Sequence, residues 1–125
     1  MILVDTSIWI DHFHVGDPIL SALIAERRVV MHPFVIGEVA VGSLRNRSIV
    51  ITMLSELPRA VAADDEEVLR FIADHALSGI GLAYVDVHLL AACRIGGTVR
   101  LWTRDRRLRG VAERLGVAAD VERPH

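Results

Sequence analysis

Short apolar runs alternate with longer amphipathic stretches along this chain, and the alternation predicts its elements. Ile2 to Val4 is apolar, rich in branched side chains and stopped by Asp5, which reads as a buried parallel strand. Residues 6–14 look helical, and Asp17-Pro18 opens another helix with aspartate at the N-cap and proline at its first position. Residues 28–31 form a second predicted strand. Pro33 starts a helix to about residue 44, and Ser48 is placed as the cap of one running through residue 57. Residues 61–63 read as a weak third strand. Asp64 with Glu67 three residues later resembles a capping box, opening a helix that Ser78, Gly79 and Gly81 stop. A further helix is expected over about residues 82–95 and ends at Gly96-Gly97. Residues 99–102 then form a strand, residues 106–115 a helix, and residues 117–119 a last short strand. Leu108, Val111, Ala112 and Leu115 share one face of the last helix at helical spacing. Strands alternating with helices, with no repeat or linker between them, imply an α/β sandwich around a parallel sheet.

Composition narrows the class. The 125 residues are one ordinary domain's worth, and a hydrophobic fraction of 52% argues against disorder. No apolar stretch approaches the roughly 20 residues of a membrane span, so no membrane role is expected. The opening MILVDTSIWID lacks the basic start of a secretory signal, and a single cysteine, Cys93, excludes an internal disulfide. A cytoplasmic protein is expected. The net charge is −2, yet all 14 basic residues are arginine. With four of the 16 acids set apart as one cluster, the other 12 face 14 arginines and the remainder carries +2. An acidic pocket on a mildly basic surface suits an anionic ligand that arrives through a cation. Genomic compositional bias explains the missing lysine equally well.

Four acids carry the candidate chemistry. Asp5 and Asp105 each follow a predicted parallel strand, where open α/β sheets place ligands. Aspartate at such a turn is also an ordinary N-cap, so neither decides anything alone. Glu38 has Phe34, Val35 and Val41 as helical neighbours, and Asp86 has Leu82, Ala83, Leu89 and Leu90. Both carboxylates are therefore expected on buried faces, where an ionised group costs several kcal/mol without compensation. An arginine partner, or a helix N-terminus for Asp86, is the plain alternative. Four acids meeting at one sheet end would repel, and a divalent cation resolves the repulsion. All-oxygen ligation favours Mg²⁺ or Mn²⁺ over zinc, and such an ion activates water for attack on a phosphodiester.

The blocks ILVDTSIWI, VIGEVAVG around Glu38, AYVDVHLLAA around Asp86 and LWTRDRRL around Asp105 together resemble the PIN-domain family. More closely, they are similar to VapC-type toxins of bacterial toxin–antitoxin pairs. The resemblance covers essentially the whole chain. It implies a single PIN domain over residues 1–125, a three-layer α/β/α sandwich with a central, mostly parallel sheet of four or five short strands. It also implies a Mg²⁺-dependent endoribonuclease, with Mn²⁺ able to substitute, that forms a homodimer. A cognate VapB-type antitoxin would neutralise it in a hetero-oligomer. Asp5, Glu38, Asp86 and Asp105 match the family's acidic tetrad of catalytic and metal-binding residues, with Asp5 and Asp86 foremost as metal ligands. For Glu38, direct ligation, ligation through water and activation of that water all stay open. Thr6, Ser7 and Thr103 are candidates to orient the carboxylates through their hydroxyls.

Other residues are set aside. The histidines lack metal-binding spacing; His12 and His14 point apart on a helix and read as solvated. Trp9 and Trp102 read as core or dimer-contact aromatics, and Cys93 as a small buried hydrophobe. Arg104, Arg106 and Arg107 beside Asp105 are either the wet side of a helix or contacts to RNA phosphates. Two other functions compete. An aspartyl-phosphate phosphatase lacks its second acid, since Ser7 stands there, and its lysine. A non-catalytic PIN-like module that binds RNA or protein remains the alternative.

Overall fold

The computed structural model describes residues 1–122. Residues 123–125 of the expected domain lie outside the described part. The element order is β1 (Ile2–Val4), α1 (Thr6–Val15), α2 (Pro18–Ala25), β2 (Val29–Val30), α3 (Pro33–Val41), α4 (Arg47–Glu56), α5 (Asp65–Asp74), α6 (Tyr84–Gly96), β3 (Arg100–Trp102) and α7 (Arg106–Arg114). The three strands form a parallel sheet in the order β2-β1-β3. Leu3 pairs with Val30 on one side and Leu101 on the other, so β1 is central and its three residues are buried. A parallel strand covered on both faces must be apolar throughout, which explains the run at residues 2–4. Helices gather in two groups, α1 with α3 and α4, and α5 with α6, the latter against β3. None of the described helices is long and apolar enough to cross a membrane.

The sheet is smaller than the four or five strands expected. Residues 61–63 form no strand. The pairing falls two residues earlier, as an isolated parallel bridge between Met31 and Arg59. Met31 N–H donates to Pro58 O at 2.7 Å and Ala60 N–H to Met31 O at 2.9 Å. Val61 is then 59% exposed, because the chain leaves the sheet to reach the Asp64 cap. Residues 117–119 likewise contribute one bridge, Ala118 to Leu101.

Helix starts followed local chemistry more closely than helix ends. Asp17 accepts from Ile19 N–H and Leu20 N–H, and Asp64 with Glu67 completes the capping box. Ser48 is not a cap: Asn46, in the left-handed region at φ 53°, precedes α4 without a side-chain cap bond. α3 stops at Val41 against Gly42. α5 stops at Asp74, ahead of the glycines, with Ala76 left-handed at φ 53°. Leu77 N–H to Ile72 O and Ala76 N–H to Ala73 O then close a Schellman-type end with alanine in the usual glycine position.

The core holds Trp9 and Trp102, both fully buried, and Cys93, whose thiol burial pushes up to about 12. Two histidines join it. His32 is fully buried and caps α3, its Nδ1 accepting from Phe34 N–H, while His88 lies with its ring centre 6.1 Å away. Burial and the neighbouring cationic groups hold the His32 imidazole down at about 4; burial also lowers His88. Between pH 4 and 6.5 the unfolded chain therefore binds a proton that folded His32 refuses, so stability falls as pH drops through that window. Denaturant melts from pH 7 to 4 should show a loss on the order of 3 kcal/mol from this group. His32→Asn, which keeps a capping acceptor but does not titrate, should be less stable at pH 7 and give a shallower pH slope.

Candidate active site

The order β2-β1-β3 reverses direction at β1, and the carboxyl ends of β1 and β3 open at that switch point. Asp5 follows β1 there. Its N–H donates to Trp102 O at 2.9 Å, continuing the β1–β3 ladder by one residue. The side chain is 9% exposed and doubly held: Thr6 N–H donates to Oδ1 at 2.8 Å and Thr103 Oγ1 to Oδ2 at 2.7 Å. The same Thr103 oxygen accepts from Asp105 N–H at 3.1 Å. One buried threonine thus ties the ends of both strands together. Asp105 caps α7, its Oδ1 accepting from Leu108 N–H at 2.9 Å.

Glu38 and Asp86 reach the same place by routes the pattern did not give. Glu38 is exposed, since α3 buries Val35 and Val39 and leaves Phe34 36% and Val41 88% exposed. Its Oε1 accepts from Thr6 Oγ1 at 2.6 Å, which connects α3 to the start of α1. α6 begins at Tyr84, so Leu82 and Ala83 are not helical neighbours of Asp86. Asp86 lies in the first turn, half-buried, with Oδ2 accepting from Ala83 N–H at 3.3 Å. Ser7 is exposed and makes no hydrogen bond to any of these acids among the described residues. His12 has a partner after all: its Nδ1 accepts from Asp17 N–H at 2.9 Å.

The four carboxylates feel one another. Burial raises the Asp5 carboxyl above its usual value against the Thr103 and Thr6 hydrogen bonds, and the Glu38 and Asp105 charges raise it further. Asp86 is raised first by burial, against the Ala83 hydrogen bond, and then by the charges of Asp5, Asp105 and Glu38. A metal ion in this cluster has to be judged by its donors. Among the described residues, no three acid, histidine or cysteine side chains stand close enough as placed to enclose an ion. Each carboxylate is turned onto a local donor instead. Yet Glu38 Oε2, Asp86 Oδ1 and Asp105 Oδ2 have no protein hydrogen-bond partner among the described residues. An all-oxygen donor set in which Asp5 and Asp86 are raised fits a hard divalent cation.

Asp86 and Asp105 line a cleft of about 500 Å³ together with Gly81, Leu82, Arg106 and Arg107. Arg104 turns away from it. Its guanidinium donates to Asp17 Oδ2 and Glu122 Oε1, each at 2.7 Å, reaches Asp11 at 3.5 Å, and lies 5.4 Å above the Trp102 ring. That network holds Arg104 towards Asp11, Asp17 and Glu122, apart from Arg106 and Arg107, which line the cleft.

Comparison with protein families matches the PIN domain over residues 2–114, a span that includes all four acids. The chain belongs to the PIN-domain family. Among curated relatives, this PIN-domain protein is similar to Ribonuclease VapC32 of Mycobacterium tuberculosis, strains CDC 1551 / Oshkosh and ATCC 25618 / H37Rv. Identity to each is 42% over 122 residues, spanning 98% of this chain and 98% of the relative. The family accounts for the α/β architecture, and the resemblance drawn from the four sequence blocks holds.

Gly81 was invisible as part of the site, since a glycine after a helix reads as a stop signal. The charge coupling itself is open to measurement. In metal-free protein followed by carboxyl-carbon NMR, both Asp5 and Asp86 should titrate above the ordinary aspartate value of 3.8. Glu38→Gln removes a like charge, so both should titrate lower in that variant. Unmoved titrations would mean that Glu38 stands outside the cluster.

Proposed function

We infer that this PIN-domain protein is a Mg²⁺-dependent endoribonuclease and the toxin of a VapBC-type pair, built as a single PIN domain over residues 1–125. The observation that carries this reading is the convergence of four acids at the switch point of the sheet, where Thr6 joins Asp5 to Glu38, Thr103 joins Asp5 to Asp105, and Asp86 lines one cleft with Asp105. The name Ribonuclease VapC32 supplies the activity and the toxin class of the relative, and both are proposed for this chain. Mg²⁺, with Mn²⁺ able to substitute, would supply charge neutralisation and activation of water for attack on phosphorus.

The chain's own residues supply position. Thr103 and the Thr6 N–H fix both oxygens of Asp5, so its carboxylate enters the site already oriented. Asp86 and Asp105 each spend one oxygen on a helix-start N–H and offer the other. Thr6 Oγ1 holds Glu38 by Oε1, which leaves Oε2 to ligate, or to orient and deprotonate the attacking water. A homodimer and a cytoplasmic location belong to the same reading. A VapB-type antitoxin would neutralise the protein by covering the acidic cluster, and an arginine is the natural partner for these carboxylates.

RNA cleavage should require Mg²⁺ or Mn²⁺ and stop on addition of EDTA. Asp5→Asn and Asp86→Asn should each lower the rate by more than the roughly 10–100-fold that outer-shell changes cost, with far-UV circular dichroism unchanged. Cleavage by both variants at the parent rate would rule out the mechanism. Binding of RNA with no cleavage under any metal would favour the non-catalytic alternative.

A further inference from the structure

Of the three arginines that flank Asp105, only Arg106 and Arg107 line the acidic cleft. Neither has an ion-pair partner among the described residues, whereas Arg104 has three. An uncompensated guanidinium in a cleft lined by Asp86 and Asp105 would be expected to fold onto one of them. Arg107 instead lies against the backbone of Gly81. That glycine is left-handed at φ 85°, and a Cβ built on it would overlap the Arg107 guanidinium and press on its stem. Gly81 is therefore needed twice, for its backbone conformation and for the space the arginine occupies.

The chemistry of this seat is specific. A guanidinium presents a planar fork that matches a phosphate bidentately. It lines the same cleft as Asp86 and Asp105, which repel a polyanion unless a cation intervenes. Resting on the ribonuclease reading, we propose that Arg107, seated on Gly81, is the anchor for a backbone phosphate of single-stranded RNA next to the bond that is cut. Gly81 is its positioning residue. The acids and their cation take the scissile phosphate, and Arg107 takes a neighbouring one, which fixes the register of the strand in the cleft. Arg104 has no part in this, because its donors serve Asp11, Asp17 and Glu122.

The test is the salt dependence of binding. A short fluorescent single-stranded RNA of mixed sequence is titrated with the full chain in EDTA, where repulsion by the acids weakens parent and variants alike, by anisotropy at several salt concentrations. Each lost phosphate contact lowers the slope of log K against log[salt] by about 0.7 for a single strand. Arg107→Gln keeps a polar stem and removes the charge, and it should lose about 0.7 in slope while melting as the parent does. Arg107→Lys should keep the slope. Gly81→Ala, which displaces the guanidinium without changing any charge, should weaken binding at a fixed salt concentration; binding equal to the parent's would overturn the role of Gly81. An unchanged slope in Arg107→Gln overturns the proposal, even where the parent cleaves RNA with Mn²⁺. A reduced slope in a chain that cleaves no RNA leaves the phosphate seat standing and removes the ribonuclease reading.

Discussion

Thr103 Oγ1 donates to Asp5 Oδ2 at 2.7 Å across 98 residues of chain, and it accepts from Asp105 N–H in the same place. The site depends on this bond because it is where two strand ends become one surface. The parallel register of β1 and β3 sets it up: Val4 pairs with Trp102, so the next residue of each strand leaves the sheet at the same level. A one-residue slip would turn Asp5 into the core face and strand Thr103 without its partner. The buried run Ile2–Val4 thus does more than fill the interior. It fixes the height at which the first acid emerges.

Electrostatics then separates the two kinds of charge. Asp17, though burial works against its ionisation, is held below the ordinary carboxylate range by the Arg104 hydrogen bond and charge. Arg104 gathers α1, α2 and the segment at Glu122 onto β3, each exposed pair contributing about 0–1 kcal/mol. Asp5 and Asp86 have no such cation and are raised. Carboxylates that could have been neutralised by a nearby arginine are not. The fold maintains an uncompensated negative cluster a few residues from its most heavily paired guanidinium, which a purely structural role for those acids does not explain.

What could be read in the sequence was what neighbouring residues decide between themselves. Asp17-Pro18 and Asp64 with Glu67 mark helix starts because the capping bonds are local, and the run at residues 2–4 is buried wherever the sheet lies. The bridges at Met31–Arg59 and Leu101–Ala118 were not legible at their true places, because only the partner strand chooses which residue pairs. Glu38 illustrates the limit from another side. Apolar neighbours at i−4, i−3 and i+3 suggested burial, yet Phe34 and Val41 are themselves exposed, so the neighbours mark a flank of α3 and not its core face. Asp86 lies in the first turn and not deeper within the helix, because α6 starts two residues later than the apolar pattern. The early end of α5 shows alanine tolerating a left-handed position that composition assigns to glycine. All four acids were legible as candidates; the hydrogen bonds that join Asp5, Glu38 and Asp105 through Thr6 and Thr103 needed coordinates.

Like charges are held together here at a cost to the metal-free fold, which binding of a divalent cation would offset. Equilibrium unfolding of Asp86→Asn with and without Mn²⁺ tests this directly, since asparagine keeps a carbonyl oxygen able to accept from Ala83 N–H. The account predicts a crossing: the variant is more stable than the parent in EDTA, yet gains little from Mn²⁺ at a hundredfold excess over Kd, where the parent gains about 2.7 kcal/mol. A variant less stable in EDTA that still gains as much from Mn²⁺ as the parent would contradict it.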